Sequence, residues 1–108
     1  DLIKKFGHRP DKDLSQAYAA LADAIAGAGA AIELSTAGLR KPVGEPYPAP
    51  ALLKACCDRG VPLVISSDAH APGEVGWGFE QARDLALRTG FTHTVRFEGR
   101  RRRPEPLA

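Results

Sequence analysis

The stretch Val61-Pro62-Leu63-Val64-Ile65-Ser66-Ser67-Asp68-Ala69-His70 decides how the rest of the chain is read. Its first half is an apolar, β-branched run of the kind that forms fully buried strands in a parallel sheet. Its second half turns polar at once, where a strand would leave the sheet. In extended chain, side chains two positions apart project to the same side, so Asp68 and His70 are expected to share one. A carboxylate and an imidazole together suit a borderline divalent cation such as Zn²⁺, with Mn²⁺ and Fe²⁺ as further options. Ser67 is placed to orient a ligand from behind. The same triplet also fits a capping aspartate followed by a surface histidine in a turn. Two ligands do not complete a catalytic zinc site, which ordinarily takes three from protein and a water.

Outward from that strand, helical and extended patterns alternate. Leu14, Ala17, Tyr18, Leu21 and Ile25 recur at the helical period and predict a helix from Leu14 to about Ala26. Asp13 is set to cap it, and Gly27 and Gly29 to end it. Ala30 to Leu34 reads as a short buried strand. Ser35 to Pro50 holds Pro42, Pro46, Pro48 and Pro50 with Gly38 and Gly44, a density of breakers that predicts a long loop, and loops of that length are often functional. A second helix is expected from about Ala51 to Arg59, stopped by Gly60. After a further loop bearing Pro72, Gly73, Gly76 and Gly78, a third helix runs from Phe79 to about Arg88. Thr92 to Phe97 is the third strand. The opening residues through Pro10 read as a loop. The order predicts an α/β fold of three helix-strand units with parallel strands and crossover helices. In such folds ligands bind at the strand C-termini. Residues 99–108 read as a basic, disordered tail.

Composition narrows the function classes. The chain has 108 residues, 44% hydrophobic and 26% charged, a globular balance. Its net charge of +2 is too small to argue for nucleic acid or membrane. Arg96 and the run Arg100 to Arg103 lack interleaved aromatics, so no nucleic-acid partner is expected. No apolar run approaches the roughly 18 residues of a membrane span, and the charged start offers no signal-peptide core. Cys56 and Cys57 are adjacent, where a mutual disulfide is strained, and a reducing cytoplasm is the better expectation. The absence of methionine and the abrupt start at Asp1-Leu2 predict a chain cut from something longer.

Further candidates lie on the loops. Arg40 and Lys41 follow the strand that contains Glu33. A guanidinium at a strand end suits bidentate phosphate binding, although local sequence by itself favours an ordinary solvated loop pair. Glu33 is read as a hydrogen-bonded structural carboxylate. Tyr47 is expected to pack, Trp77 to cover the core, His93 to lie on a strand face, and His8 to sit in the opening loop.

Together these pieces resemble the PHP superfamily and, within it, the histidinol-phosphatase branch. The segment Asp1-Leu2-Ile3-Lys4-Lys5-Phe6-Gly7-His8-Arg9-Pro10 is similar to the stretch just after a metal-binding histidine in that family. Ile32-Glu33-Leu34-Ser35-Thr36-Ala37-Gly38-Leu39-Arg40-Lys41-Pro42 looks like its strand and substrate loop. Glu45-Pro46-Tyr47-Pro48 looks like its acid-x-Tyr-Pro signature, and Ser67-Asp68-Ala69-His70 like its closing metal motif. Gly76 through Phe91 is similar to its last helix and strand entry. The resemblance implies that residues 1–98 are the C-terminal part of a distorted (β/α)7 barrel with a trinuclear centre of divalent metal ions at the strand C-termini. It also implies that a metal-held hydroxide attacks the small phosphorylated substrate L-histidinol phosphate, giving histidinol for histidine biosynthesis. Asp68 and His70 are then catalytic metal ligands, Arg40 a phosphate clamp, and Arg9 a second candidate for that task. The family's His-x-His pair and its other ligands are absent, so the remainder of the barrel is needed and the chain alone is expected to be inactive. The rival readings are another PHP metallohydrolase, such as a polymerase-associated nuclease, and a PHP remnant that kept the fold and lost the metals.

Overall fold

The computed structural model describes residues 2–108. Asp1, which opens the first stretch of the resemblance, lies outside the described residues. The elements run α1 (Leu2–Lys5), α2 (Ser15–Gly27), β1 (Ile32–Ser35), α3 (Pro50–Asp58), β2 (Leu63–Ser66), α4 (Phe79–Thr89), β3 (His93–Glu98) and β4 (Arg101–Pro106), with short 3₁₀ turns at Ala37–Arg40 and Pro72–Glu74. The expected helix-strand alternation is therefore present, preceded by one helical turn where a loop was expected.

β1 and β2 pair in parallel, with Ile32 opposite Leu63 and Ser35 opposite Ser66. Alternation sends Leu34 and Leu63 into a core with Ala22, Leu53, Cys56, Ala82 and Ala86, contributed by α2, α3 and α4. Paired residues of parallel strands share a face, so Glu33, Ser35, Val64 and Ser66 lie on the opposite side, away from that core. The helices are held by the same packing. On α2, Ala22 is buried and Tyr18 and Ile25 are half-buried, but Leu21, assigned to the buried stripe, stays 46% exposed. Asp13 does accept the Ser15 amide at 2.9 Å, although the position before the helix is Leu14. Cys56 is buried and Cys57 half-buried, and both are free thiols.

Two expectations fail at the C-terminal end. The third strand does not extend the parallel sheet. β3 pairs antiparallel with β4, His93 opposite Pro106 and Glu98 opposite Arg101. The stretch read as a disordered tail is thus a strand. Gly99 and Arg100 form a two-residue turn with φ of 53° and 63°, the left-handed pair that matches the twist of a hairpin. Arg96 pairs with Glu105 at 2.7 Å and Arg103 with Glu98 at 2.6 Å, so two ion pairs of opposite charge link the strands. Leu107 then returns to the core. β3 still lies beside β2, where the Thr94 hydroxyl donates to the Leu63 carbonyl at 3.0 Å. No described helix is long and apolar enough to cross a membrane.

Candidate active site

Asp68 and His70 leave the end of β2 together, but not by extended alternation. Asp68 has a φ of 48°, a left-handed conformation that aspartate tolerates better than most residues. The Ser66 hydroxyl accepts the Asp68 amide at 3.2 Å and donates to Glu33, so one serine ties the turn to the neighbouring strand. The kink folds the chain back on itself. The His70 Nδ1 lies 2.8 Å from the Asp68 carbonyl and 4.0 Å from Asp68 Oδ1. Because a carbonyl only accepts, this contact is a hydrogen bond with Nδ1 as the donor, and in the neutral ring of that tautomer Nε2 has the lone pair. Both side chains are exposed.

Arg40 reaches this turn from the 3₁₀ turn after β1. Its Nη2 donates to the Ser67 carbonyl at 2.9 Å and the Asp68 carbonyl at 3.3 Å, and lies 3.5 Å from Glu74 Oε2. The guanidinium sits 5.7 Å from the centroid of the Trp77 ring. Arg40 Nη1 is buried and has no hydrogen-bond partner among the described residues. Trp77 is 41% exposed, so it walls the arginine rather than covering the core, which corrects the expectation for that residue. Its carbonyl accepts the buried Thr36 hydroxyl at 2.6 Å.

The other candidates are placed apart from this cluster. Arg9 grips Glu45 with both guanidinium nitrogens, at 3.0 and 2.7 Å, and these hydrogen bonds hold the Glu45 carboxyl below the ordinary glutamate range. Lys4 donates to the Pro46 carbonyl at 2.7 Å, and burial lowers its pKa against the opposing pull of Glu45. Tyr47 bridges back to Ser35 and precedes a cis bond to Pro48. Glu33 is the hydrogen-bonded carboxylate expected, yet it opens with Asp68, Ser35 and Tyr47 onto one cavity of about 370 Å³. The Ser67 hydroxyl accepts the Gly76 amide at 3.2 Å and pins the following loop. His8 and His93 are both exposed.

Sequence reasoning misses two contributors. Ser66 reads only as the end of a strand. Glu74 accepts the His70 amide at 2.8 Å, which is the main reason its carboxyl is held below the ordinary range. Its position four residues after His70, just after Pro72-Gly73, is the signal that could have found it.

The donor set is compatible with part of a metal centre. Asp68 offers an exposed carboxylate and His70 an exposed imidazole whose Nδ1 is turned to the Asp68 carbonyl, and divalent ions accept such oxygen and nitrogen donors. Among the described residues, no group of three His, Cys, Asp or Glu side chains is close enough to hold an ion.

No family model matches the chain. A protein of Deinococcus radiodurans named "Probable histidinol-phosphatase" is 50% identical over 108 aligned residues, 96% of this chain and 39% of the relative. This chain is a homologue of proteins carrying that name. A second, from Schizosaccharomyces pombe and also named "Probable histidinol-phosphatase", is 30% identical over 70 residues, 65% of this chain and 23% of that relative. The chain thus spans less than half the length of the probable histidinol-phosphatases it matches.

Proposed function

We propose that this chain supplies part of the active site of a metal-dependent phosphomonoester hydrolase acting on L-histidinol phosphate. The observation that carries the reading is the meeting of Asp68, His70 and Arg40 at the end of β2, with His70 Nδ1 turned to the Asp68 carbonyl and Arg40 Nη1 buried without a hydrogen-bond partner among the described residues. The kinship with probable histidinol-phosphatases supports phosphate chemistry in general. The proposed architecture is a PHP-type (β/α)7 barrel, in which β1 and β2 are two of the strands and the face bearing Glu33 and Ser66 looks inward. The missing ligands come from segments beyond this chain.

In this reading Asp68 and His70 hold divalent ions, and Arg40 presents its guanidinium to the phosphoryl oxygens. Bound divalent ions lower the pKa of water and offset phosphoryl charge. Arg9 joins Arg40 only by releasing Glu45, so we assign it the lesser part.

The test is phosphate release from L-histidinol phosphate by a longer protein carrying this segment, with Zn²⁺, Mn²⁺ or Fe²⁺ supplied in turn. Metal-dependent release is expected, abolished by Asp68→Ala or His70→Ala and lowered about a hundredfold by Arg40→Ala. A longer protein replete with metal that releases no phosphate, or that trims DNA instead, would end the proposal. The 108-residue chain by itself is expected to be inactive.

A further inference from the structure

Four contacts close a ring around the Asp68 turn. Glu74 Oε2 accepts the His70 amide at 2.8 Å. His70 Nδ1 donates to the Asp68 carbonyl at 2.8 Å. That carbonyl also receives Arg40 Nη2 at 3.3 Å, and Nη2 lies 3.5 Å from the same Glu74 oxygen. Glu74 itself is fixed by the Pro72–Glu74 turn, where its amide donates to the Ala71 carbonyl at 3.0 Å.

We propose that Glu74 is a positioning residue that holds His70 in the Nδ1–H tautomer and holds Arg40 by Nη2 alone, leaving Nη1 free to meet an anion. The inference rests on the reading of His70 as a metal ligand and Arg40 as a phosphate ligand. Its physical basis is local. By anchoring the His70 amide, Glu74 sets the backbone from which the imidazole springs, and in that placement Nδ1 lies within hydrogen-bond reach of the Asp68 carbonyl. By drawing Nη2 into a set of three acceptors, Ser67 O, Asp68 O and its own carboxylate, it saturates one guanidinium nitrogen and spares the other. A carboxylate does both tasks at once. An amide oxygen can accept both contacts but carries no charge, so it holds the guanidinium less firmly.

That difference sets the experiment. Nitrogen-15 spectra of the His70 ring and the Arg40 guanidinium are compared in the 108-residue chain, Glu74→Gln and Glu74→Ala, at about pH 8, above the ordinary histidine range. The unsubstituted chain is expected to show one His70 tautomer, with the proton on Nδ1. Glu74→Gln keeps that tautomer while the Arg40 signals broaden or shift. Glu74→Ala gives a tautomer mixture and leaves the guanidinium to the Ser67 and Asp68 carbonyls alone, so its signals shift further than in Glu74→Gln. Unchanged His70 and Arg40 signals in Glu74→Ala, with β1 and β2 amides intact, would overturn the assignment. If Glu74→Ala does not fold, Glu74→Gln decides: shifted or broadened Arg40 signals support the role and unmoved ones refute it. Absent phosphate release by the longer protein would end the hydrolase reading and leave these spectra unaltered, so the two failures are distinguishable.

Discussion

Arg9 clasps the Glu45 carboxylate through both of its terminal nitrogens, at 3.0 and 2.7 Å, across 36 residues of chain. That clasp fastens the opening segment to the loop that carries Tyr47. Its consequence depends on pH. The folded-state pKa of Glu45 is lowered by Arg9, so the contribution is complete above the ordinary glutamate range and fades as pH falls through the depressed folded value. Glu45→Gln is therefore expected to melt lower than the unsubstituted chain at neutral pH, with the gap closing in acid. A gap that stays constant down to the lowest pH at which both fold would contradict this.

The Thr36 hydroxyl is wholly buried and donates to the Trp77 carbonyl at 2.6 Å, tying the end of β1 to the loop before α4. Thr36→Val leaves that carbonyl without its donor and is expected to cost about 1–3 kcal/mol. Thr36→Ser keeps the donor and should recover most of the loss. Urea titration of the three proteins checks the order.

Gly38 is required for space rather than for backbone freedom. A Cβ there would fall 1.9 Å from the Glu45 carbonyl oxygen and 3.0 Å from the Tyr47 ring. Gly38→Ala must push the Glu45–Tyr47 segment off β1, at a cost of about 1–3 kcal/mol. Gly73→Ala, which meets nothing within 4 Å, serves as the control and should be close to neutral. Equal stability of the two variants would refute the packing.

Leu107 is 6% exposed, its amide donates to the Thr92 carbonyl at 3.0 Å, and its carbonyl accepts from Arg83. Leu107→Ala is expected to destabilise the chain by about 2–4 kcal/mol. A neutral result would show that the last residues do not belong to the core.

Much of this molecule was legible in its order of residues. The apolar run ending at Ile65, the glycines after each helix and the proline-dense loop placed the helix-strand units within a residue or two. The Asp68–His70 pair and Arg40 were visible as residue types that suit a cation and an anion at strand ends. What escaped was everything that depends on chain doubling back. The basic run 100–103 reads as a solvated tail because β3, which it pairs with and which carries the Glu98 partner of Arg103, meets it only once the Gly99-Arg100 turn closes. Trp77 reads as core because its bulk suggests burial, whereas its ring is set beside Arg40 by a loop whose path depends on Thr36.

Sequence alone determined the three central helix-strand units and which residues had donor atoms, since period and chemistry are local properties. Tertiary structure decided how those atoms face one another. Asp68 turns left-handed, with its amide held by Ser66, and Glu74 comes back to the His70 amide, because hydrogen bonds left open at a strand end must find partners across space.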